Sequence, residues 1–187
     1  MGRFSKIPEN TFDEIEVEAG VLLKEFDPEN PELVDANIIC ATTGGITSAC
    51  VPTFSDWGED IDNCPNNMKE LKRIDSYECT LGFTALTVSA EVIRLALGAA
   101  DILSSTGAIT PRRELKDTDF ADIWWVGDRA DGGLVAICLR NALSTAGLSL
   151  TTTKKGKGQI AVTLTGHFSI DAQDEVPMEF YVQEGTE

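Results

Sequence analysis

The sequence predicts a mainly β domain of the α+β kind, an antiparallel β-sandwich or barrel with one helix laid against it. Three observations predict it. Strand-like segments crowd the last third of the chain. Two stretches alternate apolar and polar residues with period two. Only one stretch carries a helical stripe with capping residues at both ends.

The 187 residues suit one domain spanning 1–187, with an N-terminal arm over about 1–12 and a C-terminal segment over about 171–187. After the arm, Ile15, Val17, Ala19, Val21 and Leu23 alternate with Glu14, Glu16, Glu18, Gly20 and Leu22, which predicts a strand with one apolar and one acidic face. Asp27-Pro28-Glu29-Asn30-Pro31 is turn chemistry and ends it. Residues 36–51 are small, apolar and threonine-rich around Gly44-Gly45, and read as a strand or a strand pair broken at the glycines. Residues 52–76 show no period and predict a long loop with a task of its own.

Tyr77, Cys79, Leu81, Phe83 and Ala85 share one side of the next strand. Ser89 then suits a helix N-cap, Glu91 the first turn, and Gly98 the C-terminal end, around the stripe Val92, Ile93, Leu95, Ala96 and Leu97. A loop over 104–119 follows, then strands over 121–127, 133–142, 146–153, 158–170 and 176–183. Residues 128–133 form a hairpin loop between the first two. Trp124 and Trp125 are adjacent on a strand and so face opposite ways. One enters the core, and the other needs cover from the helix or from a second chain.

The net charge of -16, from 15 Lys+Arg against 31 Asp+Glu, argues against phosphate-backbone binding, which needs a cationic surface. No apolar run is long enough for a membrane anchor. The first nine residues lack the apolar core of a signal peptide, so cytoplasmic synthesis is expected. Five cysteines without a C-x-x-C spacing support neither a disulfide framework nor a zinc site. Cys40 and Cys138 sit in apolar runs and read as buried small hydrophobes.

Catalytic signals are sparse. His167 is the one histidine, on the polar side of a Thr/Ser-lined strand, and no G-x-S-x-G or phosphate-binding loop accompanies it. Asp56, Glu59, Asp60 and Asp62 cluster, but Pro65 and Leu71 stand where a calcium loop needs glycine and glutamate. No catalytic residue, metal ligand or cofactor is assigned. Lys154, Lys155 and Lys157 form the one basic run, either an exposed turn or a patch that meets acidic residues of a neighbour. Trp57, in a polar loop, suits a docking anchor.

Several segments, in order and spacing, resemble the major tail-tube proteins of long-tailed (siphovirus-type) bacteriophages. They are Gly44-Gly45-Ile46, 58–63 (GEDIDN), 69–75 (KELKRID), 109–115 (ITPRREL), 122–128 (DIWWVGD), 141–145 (NALST) and 166–174 (GHFSIDAQD). The resemblance implies a β-sandwich with a flanking helix whose copies join edge to edge into hexameric rings around an inner β-barrel. Stacked rings would form the virion's tail tube, a conduit for double-stranded DNA that binds no sequence. Tape-measure, tail-tip and terminator proteins would be partners, and synthesis would take place in the bacterial host cytoplasm.

In that light the 52–76 segment becomes an inter-subunit loop. The interface candidates are Trp57, Glu59, Asp60, Asp62, Lys69, Lys72, Arg73, Arg112, Arg113, Lys154, Lys155 and Lys157. Glu14, Glu16 and Glu18 are candidates for an acidic lumen face, with an outer solvated face as the alternative. Three other classes stay open: the tube protein of a contractile injection or secretion machine, a monomeric β-sandwich binding module of a virion, and a hydrolase acting through His167 or the acidic cluster.

Overall fold

The computed structural model describes residues 5–185; residues 1–4 of the expected arm and 186–187 of the C-terminal segment lie outside it. The chain is mainly β. Its strands are β1 (Glu16–Leu23), β2 (Thr42–Asp56), β3 (Lys72–Ala85), β4 (Ala100–Leu103), β5 (Ala108–Pro111), β6 (Ala121–Arg129), β7 (Leu134–Ser144), β8 (Ser149–Thr151), β9 (Gln159–Thr165) and β10 (Met178–Gln183). One helix, α1 (Ala90–Leu97), lies between β3 and β4.

All pairings are antiparallel. The main sheet runs β1-β6-β7-β9-β3-β2, with β10 beside β7 and β8 beside β9. Strand β7 is the pivot. Its first half lies between β6 and β10, while Leu143 and Ser144 pair with β9. Side chains from both ends of the sheet meet in one cluster: Leu81 and Phe83 of β3, Ile160, Val162 and Leu164 of β9, and Ile123, Trp125 and Leu139 of β6 and β7. Val92 and Ala96 of α1 close it. The helix starts and stops as predicted. Ser89 Oγ accepts the Val92 N–H at 3.2 Å, and the Gly98 N–H bonds back to the Arg94 carbonyl. Among the described residues no helix is long and apolar enough to cross a membrane.

The two tryptophans do face opposite ways. Trp125 enters the main cluster, and Trp124 packs in a smaller one with Leu23, Ala136 and Cys138. The cover for Trp124 is Phe26 and Tyr181, each with ring centroids 5.6 Å away, and not the helix.

The structure sharpens or corrects several sequence expectations, beginning with β1. Strand β1 does not keep one apolar face. Glu18 (φ 64°) and Gly20 (φ 65°) turn the backbone over, and the register with β6 shifts between Val17 and Val21. Ile15 and Val17 are left exposed, while Leu22 and Leu23 are buried on opposite sides. Gly20 is required there. A Cβ would sit 2.5 Å from both Trp125 Nε1 and the Val126 carbonyl oxygen, while Trp125 Nε1 donates to the Ala19 carbonyl at 3.0 Å.

Second, of the two readings of residues 36–51, one strand or a pair broken at the glycines, the structure has the single strand. Strand β2 is one strand of 15 residues with a bulge at Gly44-Gly45. Third, the 104–119 loop contains most of a hairpin, since β4 pairs with β5 through Ile102↔Ile109.

Fourth, the 158–170 strand stops at Thr165. Gly166 passes so close to β7 and the approach to β10 that a Cβ would lie 2.8 Å from Leu139 Cδ1 and 2.9 Å from the Pro177 carbonyl. Phe168 and Ile170 lie past this point and are exposed, and His167 stands beyond the strand's end.

Candidate assembly surface

The hairpin of β2 and β3 is built from the two longest strands, of 15 and 14 residues. The segment 52–76 is not all loop. Residues 52–56 and 72–76 extend the two strands, pairing from Pro52↔Tyr77 out to Asp56↔Lys72, and only 57–71 is irregular. The missed signal lay in Val51, Phe54 and Ile74, β-prone residues that never alternate cleanly because the register shifts between Thr53 and Phe54.

The irregular tip is organised by Asp56. Its carboxylate accepts the Gly58 N–H at 2.9 Å and the Asn67 N–H at 2.6 Å, and these two bonds hold it below the ordinary aspartate range. Asn63 and Asn67 take positive φ, a conformation asparagine tolerates, and Lys72 Nζ donates to Asn67 Oδ1 at 3.0 Å. The Trp57 backbone N–H donates to the Leu71 carbonyl at 3.1 Å, which closes the base of the irregular tip.

The tip brings several interface candidates together. Trp57 is 66% exposed with the Arg73 guanidinium 5.1 Å from its ring, and Lys72 lies 5.8 Å from the Phe54 ring. Glu59, Asp60, Asp62 and Lys69 are exposed beside them. Among the described residues no three His, Cys, Asp or Glu side chains converge as a metal site would require. Phe54, Trp57, Ile61, Met68 and Ile74 stand in water on the same projection.

The other candidates lie elsewhere. Lys154, Lys155 and Lys157 are exposed in the turn between β8 and β9 and form no ion pair among the described residues. Arg113 is exposed, but its neighbour Arg112 turns inward. The Arg112 guanidinium pairs with buried Asp119, donates from Nη1 to the Glu114 carbonyl at 2.6 Å, and places Nε 2.9 Å from Asp101 Oδ1, out of hydrogen-bond alignment. The Arg112 side chain is thus engaged within its own chain. Burial alone would raise the Asp119 carboxyl, but the Lys116 N–H and Arg112 together hold it below the ordinary value. Glu14, Glu16 and Glu18 are all exposed. Glu14 lies in the bend before β1, and Glu18 sits at the bulge, so the three do not share one strand face.

His167 lines a polar pocket of about 390 Å³ with Asp122, Arg140, Asn141, Ser169 and Glu175. Its Nδ1 lies 3.1 Å from the Asn141 carbonyl, and Asn141 Nδ2 donates to the His167 carbonyl at 3.1 Å. Arg140 bridges Asp122 at 2.8 Å and Glu179 at 3.1 Å, tying β6, β7 and β10 together. These hydrogen bonds brace the sheet, and none links His167 to a nucleophile.

One surface escaped the sequence reading. Because Cys79, Leu81, Phe83 and Ala85 are buried, Thr80, Gly82 and Thr84 point outward, beside Thr47 on β2 and Thr163 on β9. In a chain of net charge -16 this stretch of sheet carries only hydroxyls, methyls and backbone. The Thr80-Leu81-Gly82-Phe83-Thr84 alternation was its signal.

No family model and no curated protein matches the chain.

Proposed function

We propose that this chain is a structural subunit that self-assembles into a tube, of the kind that forms the tail of long-tailed bacteriophages. The observation that carries the reading is β2, a strand of 15 residues paired on one side only, bearing Val51 and Phe54 half exposed. A long, partly apolar edge is a hazard for a monomer and a joint for an oligomer. The exposed apolar side chains of the tip, of β10 (Phe180, Val182) and of β8 (Leu150) ask for cover in the same way.

In this reading β1-β6-β7-β10 and β2-β3-β9-β8 are the two layers of a sandwich, and copies join by their edges into a hexameric ring with an inner barrel. Rings stack through the β2–β3 tip and the terminal segments. Double-stranded DNA then passes along a wall whose net negative charge repels phosphate, and an uncharged threonine face offers it nothing to grip. Tape-measure, tail-tip and terminator proteins are the partners this function calls for, and the virion tail is its place.

Negative-stain electron microscopy of the purified chain over a concentration series, with sedimentation on the same samples, tests this. Rings or tubes with a central channel are expected. Polymer absent at every concentration, and still absent after addition of a purified tail-tip complex, would sink the reading in favour of a monomeric binding module.

A further inference from the structure

Cys50 of β2 and Cys79 of β3 are 29 positions apart in sequence yet directly opposite in the antiparallel register, with their sulfurs 3.3 Å apart. Directly opposed residues in such a pair have Cα atoms about 4.5 or 5.5 Å apart. Both values fall within the roughly 4.4–6.8 Å that a disulfide bond spans. All five cysteines are thiols in this structure. The remaining three are placed differently. Cys40 and Cys138 are buried in separate clusters, and Cys64 lies on the hairpin tip, 3.5 Å from the sulfur of Met68.

We propose that Cys50 and Cys79 are an oxidisable dithiol that closes to an intrachain disulfide bond across β2 and β3, using a low-molecular-weight disulfide as the oxidant. The partly exposed Cys50 acts first. Its thiolate attacks one sulfur of the small disulfide, forms a mixed disulfide and releases one small thiolate, which takes up the Cys50 proton. Cys79 then loses its proton and attacks Cys50 Sγ, and the second small thiol departs. The protein pair loses two electrons and two protons, and one small disulfide becomes two thiols. Cys79 is fully buried, and burial pushes its thiol up to about 12, so it cannot be the opening nucleophile and is suited to resolve a sulfur already beside it.

The bond would fasten the hairpin where it leaves the core, since Cys79 begins the buried run of β3 and the exposed tip lies beyond. This inference stands independently of the tube reading. A monomer and a ring subunit place the two sulfurs alike.

The test uses the full chain, purified reduced and then equilibrated with oxidised glutathione. Samples are quenched in acid, unfolded, alkylated with a maleimide and mapped by mass spectrometry. The expected product has lost two hydrogens, carries three maleimides where the reduced chain carries five, and yields one Cys50–Cys79 linked peptide. Its melting temperature rises by roughly 5–15 °C, reversibly with reductant. Cys64→Ser keeps the Cys50–Cys79 link and the rise in melting temperature, with two maleimides where its reduced form carries four, and Cys50→Ser abolishes both. Glutathione retained on Cys50, a bond between any other pair or between two chains, or five maleimides after equilibration would each overturn the proposal.

Discussion

The two halves of β3 make different use of the same kind of backbone. From Cys79 to Ala85 every second side chain is buried to 5% exposure or less, between β2 and β9. From Lys72 to Glu78 the strand pairs only with β2, Ile74 is half exposed, and the ladder runs past the end of the core. The inner half is held by burial. The outer half is held by cross-strand hydrogen bonds that continue a register set further in, because a lone two-stranded ribbon has little stability of its own. The inner half therefore defines the fold, and the apolar residues of the outer half stay exposed.

Substitutions should separate the halves sharply. Leu81→Ala, in the buried run, is expected to cost about 3–4 kcal/mol through lost transfer energy and a cavity. Ile74→Ala, seven residues earlier and exposed, should stay within about 0.5 kcal/mol. Urea unfolding of dilute protein measures both, and equal costs would dissolve the distinction. Gly20→Ala comes next. A left-handed backbone and a Cβ pressed on the Val126 carbonyl predict a loss of about 3 kcal/mol, although the residue itself buries nothing.

A smaller effect lies at Asp119, where buried charge replaces apolar packing. Its carboxyl is held below the ordinary value, so the stability it lends is complete above the unfolded pKa of about 3.9. That contribution is lost as the pH falls through the lower folded value. Asp119→Asn should lower the melting temperature by a few degrees at neutral pH and flatten its decline in acid. Thermal melts of both proteins between neutral pH and pH 3 check this. A mutant whose acid decline parallels the native one would show that Asp119 is not coupled to folding.

The same contrast explains what could be read in advance. The inner half of β3, the helix with Ser89 and Gly98, and the opposed faces of Trp124 and Trp125 were legible, because burial on one side writes a period into the sequence. Where burial ends, the period ends. The distal strands over 52–56 and 72–76 read as loop, and the β4–β5 hairpin with its exposed Leu103 escaped for the same reason. Strand β1 misled differently, since its alternation is real but the bulge at Glu18–Gly20 turns it over. Arg112 and Arg113 look alike in sequence, and only the fold of 114–119 around Arg112 tells the framework residue from the exposed one. The Cys50–Cys79 pair was invisible without the register.

The smallest effect on folding should fall at Trp57, and there the comparison becomes a test of function. The indole is 66% exposed and touches its own chain chiefly through the Arg73 guanidinium, an exposed cation–π contact worth about 0.5–1 kcal/mol at most. Trp57→Ala should therefore leave the urea midpoint of the dilute protein almost where it was. A large aromatic side chain that contributes so little to its own domain, on a hairpin that already outruns the core, is well placed to contribute to an interface instead. The same variant should raise the concentration at which rings or tubes form by tenfold or more, read by sedimentation. Phe54→Ala, its neighbour along the exposed strand, should do so more weakly. Unchanged assembly together with an unchanged midpoint would remove the tip from the contact surface and leave the strand edges as the joint.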